Sequence, residues 1–127
     1  RTKKTLRKAV GALGFAYNLP RVQHFDAFGY PSQGRFKGDV LIQCSSAYAV
    51  DDLNAEGPDS LGIGCDMTPG SSGGPWVVAL RRRNLLNGIN SYSYDEQPGA
   101  MYGPYFGEAA NKLRCAAGTG NPDATSC

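Results

Sequence analysis

Histidine and tryptophan are nearly absent: the 127 residues hold one of each, His24 and Trp76, and two methionines. A lone imidazole argues against a multi-histidine metal centre, and the four cysteines lack the C-x-x-C spacing of zinc or redox sites. No metal or cofactor is expected. No apolar run approaches the roughly 20 residues that a membrane-spanning helix requires. There is no internal repeat and no low-complexity tract. Neither sign of charge dominates, since 13 Lys and Arg face 11 Asp and Glu for a net charge of +2. That balance names no partner. Basic residues do gather at Arg1, Lys3, Lys4, Arg7 and Lys8, and again at Arg81, Arg82 and Arg83. Neither run has the interleaved aromatics of a stacking surface, so both are read as solvated loops or turns, with no nucleic-acid and no membrane partner.

An initiator methionine is also missing. The basic start followed by Ala9-Val10-Gly11-Ala12-Leu13-Gly14-Phe15 imitates a signal peptide. Two glycines break its apolar part, however, and no small-residue cleavage site follows. The stretch is read as a strand, and the chain as a piece of something longer.

What is present is turn formers and aromatics: 17 Gly, 8 Pro, 7 Tyr and 5 Phe. Many short strands joined by tight turns fit that mixture. Six strands are predicted, over 10–17, 22–30, 38–45, 61–65, 76–80 and 85–94, with 51–60 as a polar loop. Over 105–117 the pattern changes. Phe106, Ala109, Ala110, Leu113 and Ala117 recur at helical spacing, and Gly118 follows as a stop. Residues 1–127 therefore read as one all-β domain, a six-stranded antiparallel β-barrel with a C-terminal helix. Closure would leave no exposed sheet edge.

Cys44, Cys65, Cys115 and Cys127 suit two disulfides formed in an oxidising, extracellular compartment. Three pairings are possible. The sequential one, Cys44–Cys65 with Cys115–Cys127, closes two short loops and is the expected one.

The segment with chemical content is Gly64-Cys65-Asp66-Met67-Thr68-Pro69-Gly70-Ser71-Ser72-Gly73-Gly74-Pro75-Trp76. Gly70-Ser71-Ser72-Gly73-Gly74 fits the G-x-S-x-G elbow of α/β-hydrolases, but that elbow requires a helix after the serine. Pro75-Trp76-Val77-Val78-Ala79-Leu80 reads as a strand instead, which argues against that class. An acyl-transfer serine needs backbone amides aimed at the developing oxyanion, and glycines let the backbone approach the substrate in unusual conformations. A Gly/Ser-rich stretch equally suits a plain flexible turn.

The segment resembles the nucleophile loop of secreted bacterial and fungal trypsin-like serine peptidases related to the glutamyl endopeptidases. Phe28-Gly29-Tyr30-Pro31, Leu86-Asn87-Gly88-Ile89-Asn90-Ser91-Tyr92 and Gly103-Pro104-Tyr105-Phe106-Gly107 resemble other landmarks of that family, in the same order. The resemblance runs from about residue 10 to residue 113. It implies the C-terminal barrel of the chymotrypsin-like fold, with Ser72 as nucleophile and the Gly70 and Ser72 amides as oxyanion hole. It places Asp66 near the pocket base, as either a specificity determinant or a structural hydrogen-bonding residue. Asn90 and Ser91 fall on the pocket wall, and Tyr92 and Ser93 would pair with an extended peptide or protein substrate. Ser71 stands where trypsins carry the Asp that pairs with a new N-terminus. Asn90 stands where glutamyl endopeptidases carry a His. Neither zymogen activation nor glutamate preference is therefore implied.

A serine hydroxyl needs a base within hydrogen-bond reach and a carboxylate to orient that base. The family draws both from an N-terminal barrel, which would precede Arg1 and act as partner. His24 is then expected to be a surface or half-buried strand residue, and Asp51 and Asp52 to be solvated. Two functions follow: a serine endopeptidase present as an incomplete, inactive fragment, or a non-catalytic peptide-binding barrel.

Overall fold

The computed structural model describes residues 5–121, 123, 124, 126 and 127. Arg1, Lys3 and Lys4 of the first basic run lie outside the described residues. Helix α1 spans Leu6–Val10 and α2 spans Glu108–Thr119. The strands are β1 (Gly14–Phe15), β2 (His24–Gly29), β3 (Ile42–Asp52), β4 (Ser60–Gly64), β5 (Pro75–Val78), β6 (Leu85–Ile89) and β7 (Ala100–Gly103). They form one sheet in the order β1-β6-β5-β2-β3-β4-β7.

The expected six-stranded antiparallel barrel is thus corrected. Among the described residues the sheet has seven strands, β1 joins β6 in parallel, and no continuous ladder unites the two ends. The ends approach only through an isolated bridge between Tyr92, just beyond β6, and Tyr102 of β7. Glycine explains part of the difference. Gly11, at φ +83°, caps α1, so the predicted strand 10–17 shrinks to Gly14–Phe15. β7 carries no β-branched residue, and Tyr102 is the single strand-favouring residue in Ala-Met-Tyr-Gly, too little to announce a strand. β3 starts four residues late and extends through Asp51 and Asp52, both assigned to a loop from sequence. Its ladder holds a bulge. Tyr48 faces Ile63 and Val50 faces Gly62, leaving Ala49 as the extra residue.

Inward-facing residues of β2, β4, β5 and β7 build the core. Phe25, Ala27, Leu61, Ile63, Cys65, Met67, Trp76, Val78 and Met101 form a single cluster. Phe25 and Trp76 are fully buried, with ring centroids 5.4 Å apart. Each such side chain contributes about 1.5–3 kcal/mol by leaving water.

Both expected disulfides are present. Cys44–Cys65 joins β3 to the residue after β4, and Cys115–Cys127 ties the tail to α2. The helix ends later than predicted, at Gly120 in the left-handed conformation, with Gly118 inside it. Its buried residues are Asn111 and Cys115, whereas Leu113 is 72% exposed. The apolar stripe read from sequence is therefore not the face that packs. The covalent bond at Cys115 and the contacts of Phe15 with Phe106 and Arg114 set the rotation of the helix instead. Arg81, Arg82 and Arg83 are exposed in the turn joining β5 to β6. No helix among the described residues is long and apolar enough to cross a membrane.

Candidate active site

Residues 68–74 leave the core at Met67 and return to it at Trp76, so both ends of this loop are fixed by buried side chains. Its first half is pinned to the chain after β2. The Ser32 amide donates to Pro69 O at 2.8 Å, and Thr68 exchanges hydrogen bonds with the Gln33 backbone at 3.0 and 3.1 Å. Its second half turns on glycines. Gly70 and Gly73 adopt φ of +102° and +79°, a region costly for residues with a Cβ. At Gly74 the obstacle is space, since a Cβ there would lie 1.9 Å from Phe28 O.

Asn90, just after β6, braces this turn from behind. Its Nδ2 donates to Phe28 O at 2.9 Å and to Ser71 O at 3.1 Å, and its Oδ1 accepts from Trp76 Nε1 at 2.7 Å. Its backbone exchanges hydrogen bonds with Gly73 and Gly74, both at 2.8 Å. Asn90 is 1% exposed and has its amide fully engaged, so it does not face the cavity. The pocket-wall position assigned to it from sequence is a correction: it supports the loop. Ser71 is buried as well, donating its hydroxyl to Thr68 O at 3.0 Å.

Ser72 is the opposite. It is exposed, and among the described residues its hydroxyl has no hydrogen-bond partner. No acceptor among the described residues takes up the Gly70 or Ser72 amide either. Ser72 borders an open cavity of about 530 Å³. Asp66, Ser91, Tyr92 and Ser93 line it too, so four of the five residues assigned to substrate binding gather around Ser72. Tyr94 and Asp95 complete the far wall. No Lys, Arg or His is among the lining residues. Asp66 is half-exposed and forms an ion pair with Arg35, which offsets its charge.

The wall 91–95 is held from outside the cavity by Asp52. This carboxylate is 5% exposed, and its Oδ2 accepts from the phenols of Tyr92 at 2.7 Å and Tyr94 at 2.6 Å. Its Oδ1 accepts from the Asn54 amide at 3.0 Å. The bond from Tyr94, then that from Tyr92, holds the Asp52 carboxyl below the usual carboxylate range. The same bond, with burial, pushes the Tyr94 phenol up to about 12. Burial chiefly raises Tyr92. The solvated role expected for Asp51 and Asp52 is also corrected, because Asp51 pairs with Arg21 at 2.7 Å. Arg35, Asp52 and Tyr94 escaped the sequence reading; only the i, i+2 phenols of Tyr92 and Tyr94 on an extended segment hinted at a shared acceptor.

His24 does not serve the site. It is exposed at the start of β2, with Nε2 2.8 Å from Ser45 Oγ. The Ser72 loop touches the other end of that strand, where Gly29 abuts Ser71. Five residue-to-residue steps along the strand separate the two ends by about 16 Å.

No protein-family model matches the chain, and no curated protein matches it. Solved structures do. The thermostable serine protease AL20 from an extremophilic microorganism is 39% identical, with a TM-score of 0.79 over 91% of this chain and 52% of that one. The protease Anisep from Arthrobacter nicotinovorans is 37% identical, with a TM-score of 0.74 over 84% of this chain and 48% of that one. The inactive form of Rv3671c from M. tuberculosis H37Rv shares the fold at 17% identity, with a TM-score of 0.64 over 90% of this chain and 57% of that one. The chain spans about half the length of the proteases it matches.

Proposed function

We propose that this chain, a relative of serine proteases over about half their length, is the C-terminal half of a secreted chymotrypsin-fold serine endopeptidase. One observation carries the reading. An exposed, unpartnered Ser72 hydroxyl borders a cavity, in a loop whose Gly70 and Ser72 amides have no internal acceptor among the described residues. Polar groups left free beside an open cavity are groups available to a substrate.

In this mechanism Ser72 Oγ attacks the carbonyl carbon of the scissile peptide bond. Its proton passes to a histidine of the preceding barrel and from there to the leaving amine. The Gly70 and Ser72 amides stabilise the oxyanion, a contribution of about 3–4 kcal/mol per donor. Water then releases the acyl group from Ser72. The general base must come from outside residues 1–127, because His24 lies at the far end of β2, so this chain alone is inactive. With Asp66 offset by Arg35, the Asp95 carboxylate, several hydroxyls and the lack of basic lining residues favour neutral or cationic substrate side chains over glutamate. The two disulfides fit export to an oxidising compartment.

Treatment of the natural full-length protein with a serine-directed phosphonylating reagent, followed by peptide mapping, tests the assignment. Label on Ser72 with loss of peptidase activity is expected. Full activity with Ser72 unlabelled, or label confined to Ser71, would refute it. A protein that binds peptides but takes no label anywhere would be the non-catalytic barrel.

A further inference from the structure

The segment 91–95 forms the cavity wall facing Ser72, yet it belongs to no strand. Along it, Ser91, Ser93 and Asp95 are exposed while Tyr92 and Tyr94 are half-buried, the alternation of an extended chain. Its backbone is tied to β7 at one residue only. The Ser91 and Tyr92 amides donate to Tyr102 O at 3.0 and 3.2 Å, and the Tyr102 amide donates back to Tyr92 O at 2.8 Å. Beyond Tyr92 the segment's one backbone hydrogen bond among the described residues is a turn, from the Gln97 amide to Tyr94 O at 3.0 Å, and the rest of its hold comes from side chains. The rings of Tyr92, Tyr94 and Tyr102 pack together with centroids 5.3–5.7 Å apart. Ring packing alone tolerates sliding. Two phenols converging on one carboxylate oxygen do not, because both donors and the acceptor have defined directions.

We propose that Asp52 is the positioning residue of this wall: through the phenols of Tyr92 and Tyr94 it holds 91–95 in the line along which a peptide substrate docks. The proposal rests on the peptidase reading above. Asp52 never touches the substrate, since it is buried on the outer side of the wall and does not line the cavity. Its negative charge has no Lys or Arg beside it among the described residues and is met by the two phenols and the Asn54 amide. A buried carboxylate without a cation is retained only where its hydrogen bonds are complete. Displacing the wall therefore means breaking bonds to a charged group, which stiffens 91–95 although no ladder continues there.

The test uses the natural full-length protein with Asp52→Asn and, separately, Tyr94→Phe, which keeps the ring. Three quantities are read: the KM and kcat for an extended peptide, the rate at which a small phosphonylating reagent labels Ser72, and the ultraviolet titration of the phenols. Asp52→Asn is expected to raise KM about tenfold, the scale of one hydrogen bond to a charged group. The kcat and the labelling rate stay within about twofold, a split that a general loss of structure would not give. Tyr94→Phe raises KM by a smaller factor. In the titration, a phenol ionising near pH 12 moves toward pH 10 in Asp52→Asn and vanishes in Tyr94→Phe. Unchanged KM in both folded variants overturns the proposal, as does an Asp52→Asn titration curve that superimposes on that of the parent. A parent unlabelled at Ser72 sinks the peptidase reading alone, and the titration then decides whether the phenols are clamped.

Discussion

The two sides of the cavity are held in unlike ways. The Ser72 side is a turn locked by sterics and by a neutral amide, with Gly74 pressed on Phe28 O and Asn90 bonded to both Phe28 and Ser71. The 91–95 side hangs from a carboxylate by two hydroxyls. The first arrangement carries no ionisable group, so proton concentration does not touch it. The second titrates at both ends of its hydrogen bonds. The Ser72 turn is therefore fixed independently of pH, while the 91–95 wall is not.

The comparison breaks most severely at Gly74. Gly74→Ala puts a methyl group into a backbone carbonyl that cannot move aside, and a loss of about 3 kcal/mol or more is expected in the denaturant midpoint. Asn90→Ala comes next. It leaves the Trp76 indole without an acceptor and the Ser71 and Phe28 carbonyls short of a donor, for about 2–3 kcal/mol by the same measurement.

The opposite side is sharpened by pH. Tyr94 titrates near 12 in the folded chain and near 10 when unfolded, so the folded state keeps its proton more tightly. Its stabilisation is complete below pH 10 and is lost as pH rises toward 12. Asp52 has a lowered pKa, so its contribution is present above its ordinary carboxylate range and disappears as pH falls through the folded value. Thermal midpoints recorded across pH in the parent and in Asp52→Asn should show both losses in the parent, and in the variant a smaller alkaline loss, because burial still raises the phenols, and an acid loss reduced by the Asp52 contribution. The smallest effect is expected far from either side. Leu113→Ser on the exposed face of α2 should change stability by no more than about 0.5 kcal/mol.

The same contrast explains what the sequence revealed. The Ser72 turn was legible because its demands fall on glycines close together in the chain, at Gly70, Gly73 and Gly74. The cysteine pairing was legible because the loops it closes are short. Asn90 was read as a pocket residue because the resembled family carries a substrate-binding His at that position, and a polar side chain there looks the same whether it faces a ligand or a neighbouring loop. Only the approach of Phe28 and Ser71 from distant parts of the chain separates the two. Asp52 was missed because 51–60 reads as a polar loop, whereas β3 runs through Asp52 with a bulge at Ala49. From Ile42 to Tyr48 the even-numbered residues face the core side, and after Ala49 that side passes to odd positions. Continued alternation would place Asp52 with Tyr48, whereas it lies on the far side with Val50. β1 and β7 were missed or overdrawn because strands of two and four residues are made by their neighbours rather than by their own propensities.

That extra residue in β3 also marks where the protein can change length. Removing Ala49 would leave Tyr48 opposite Ile63 and Val50 opposite Gly62, so both flanking ladders keep their partners. A one-residue deletion at Ser46 or Ala47 would instead invert every side chain between the cut and the bulge, turning what faces the interior toward water. Within an eleven-residue strand, one position is spare and its neighbours are not.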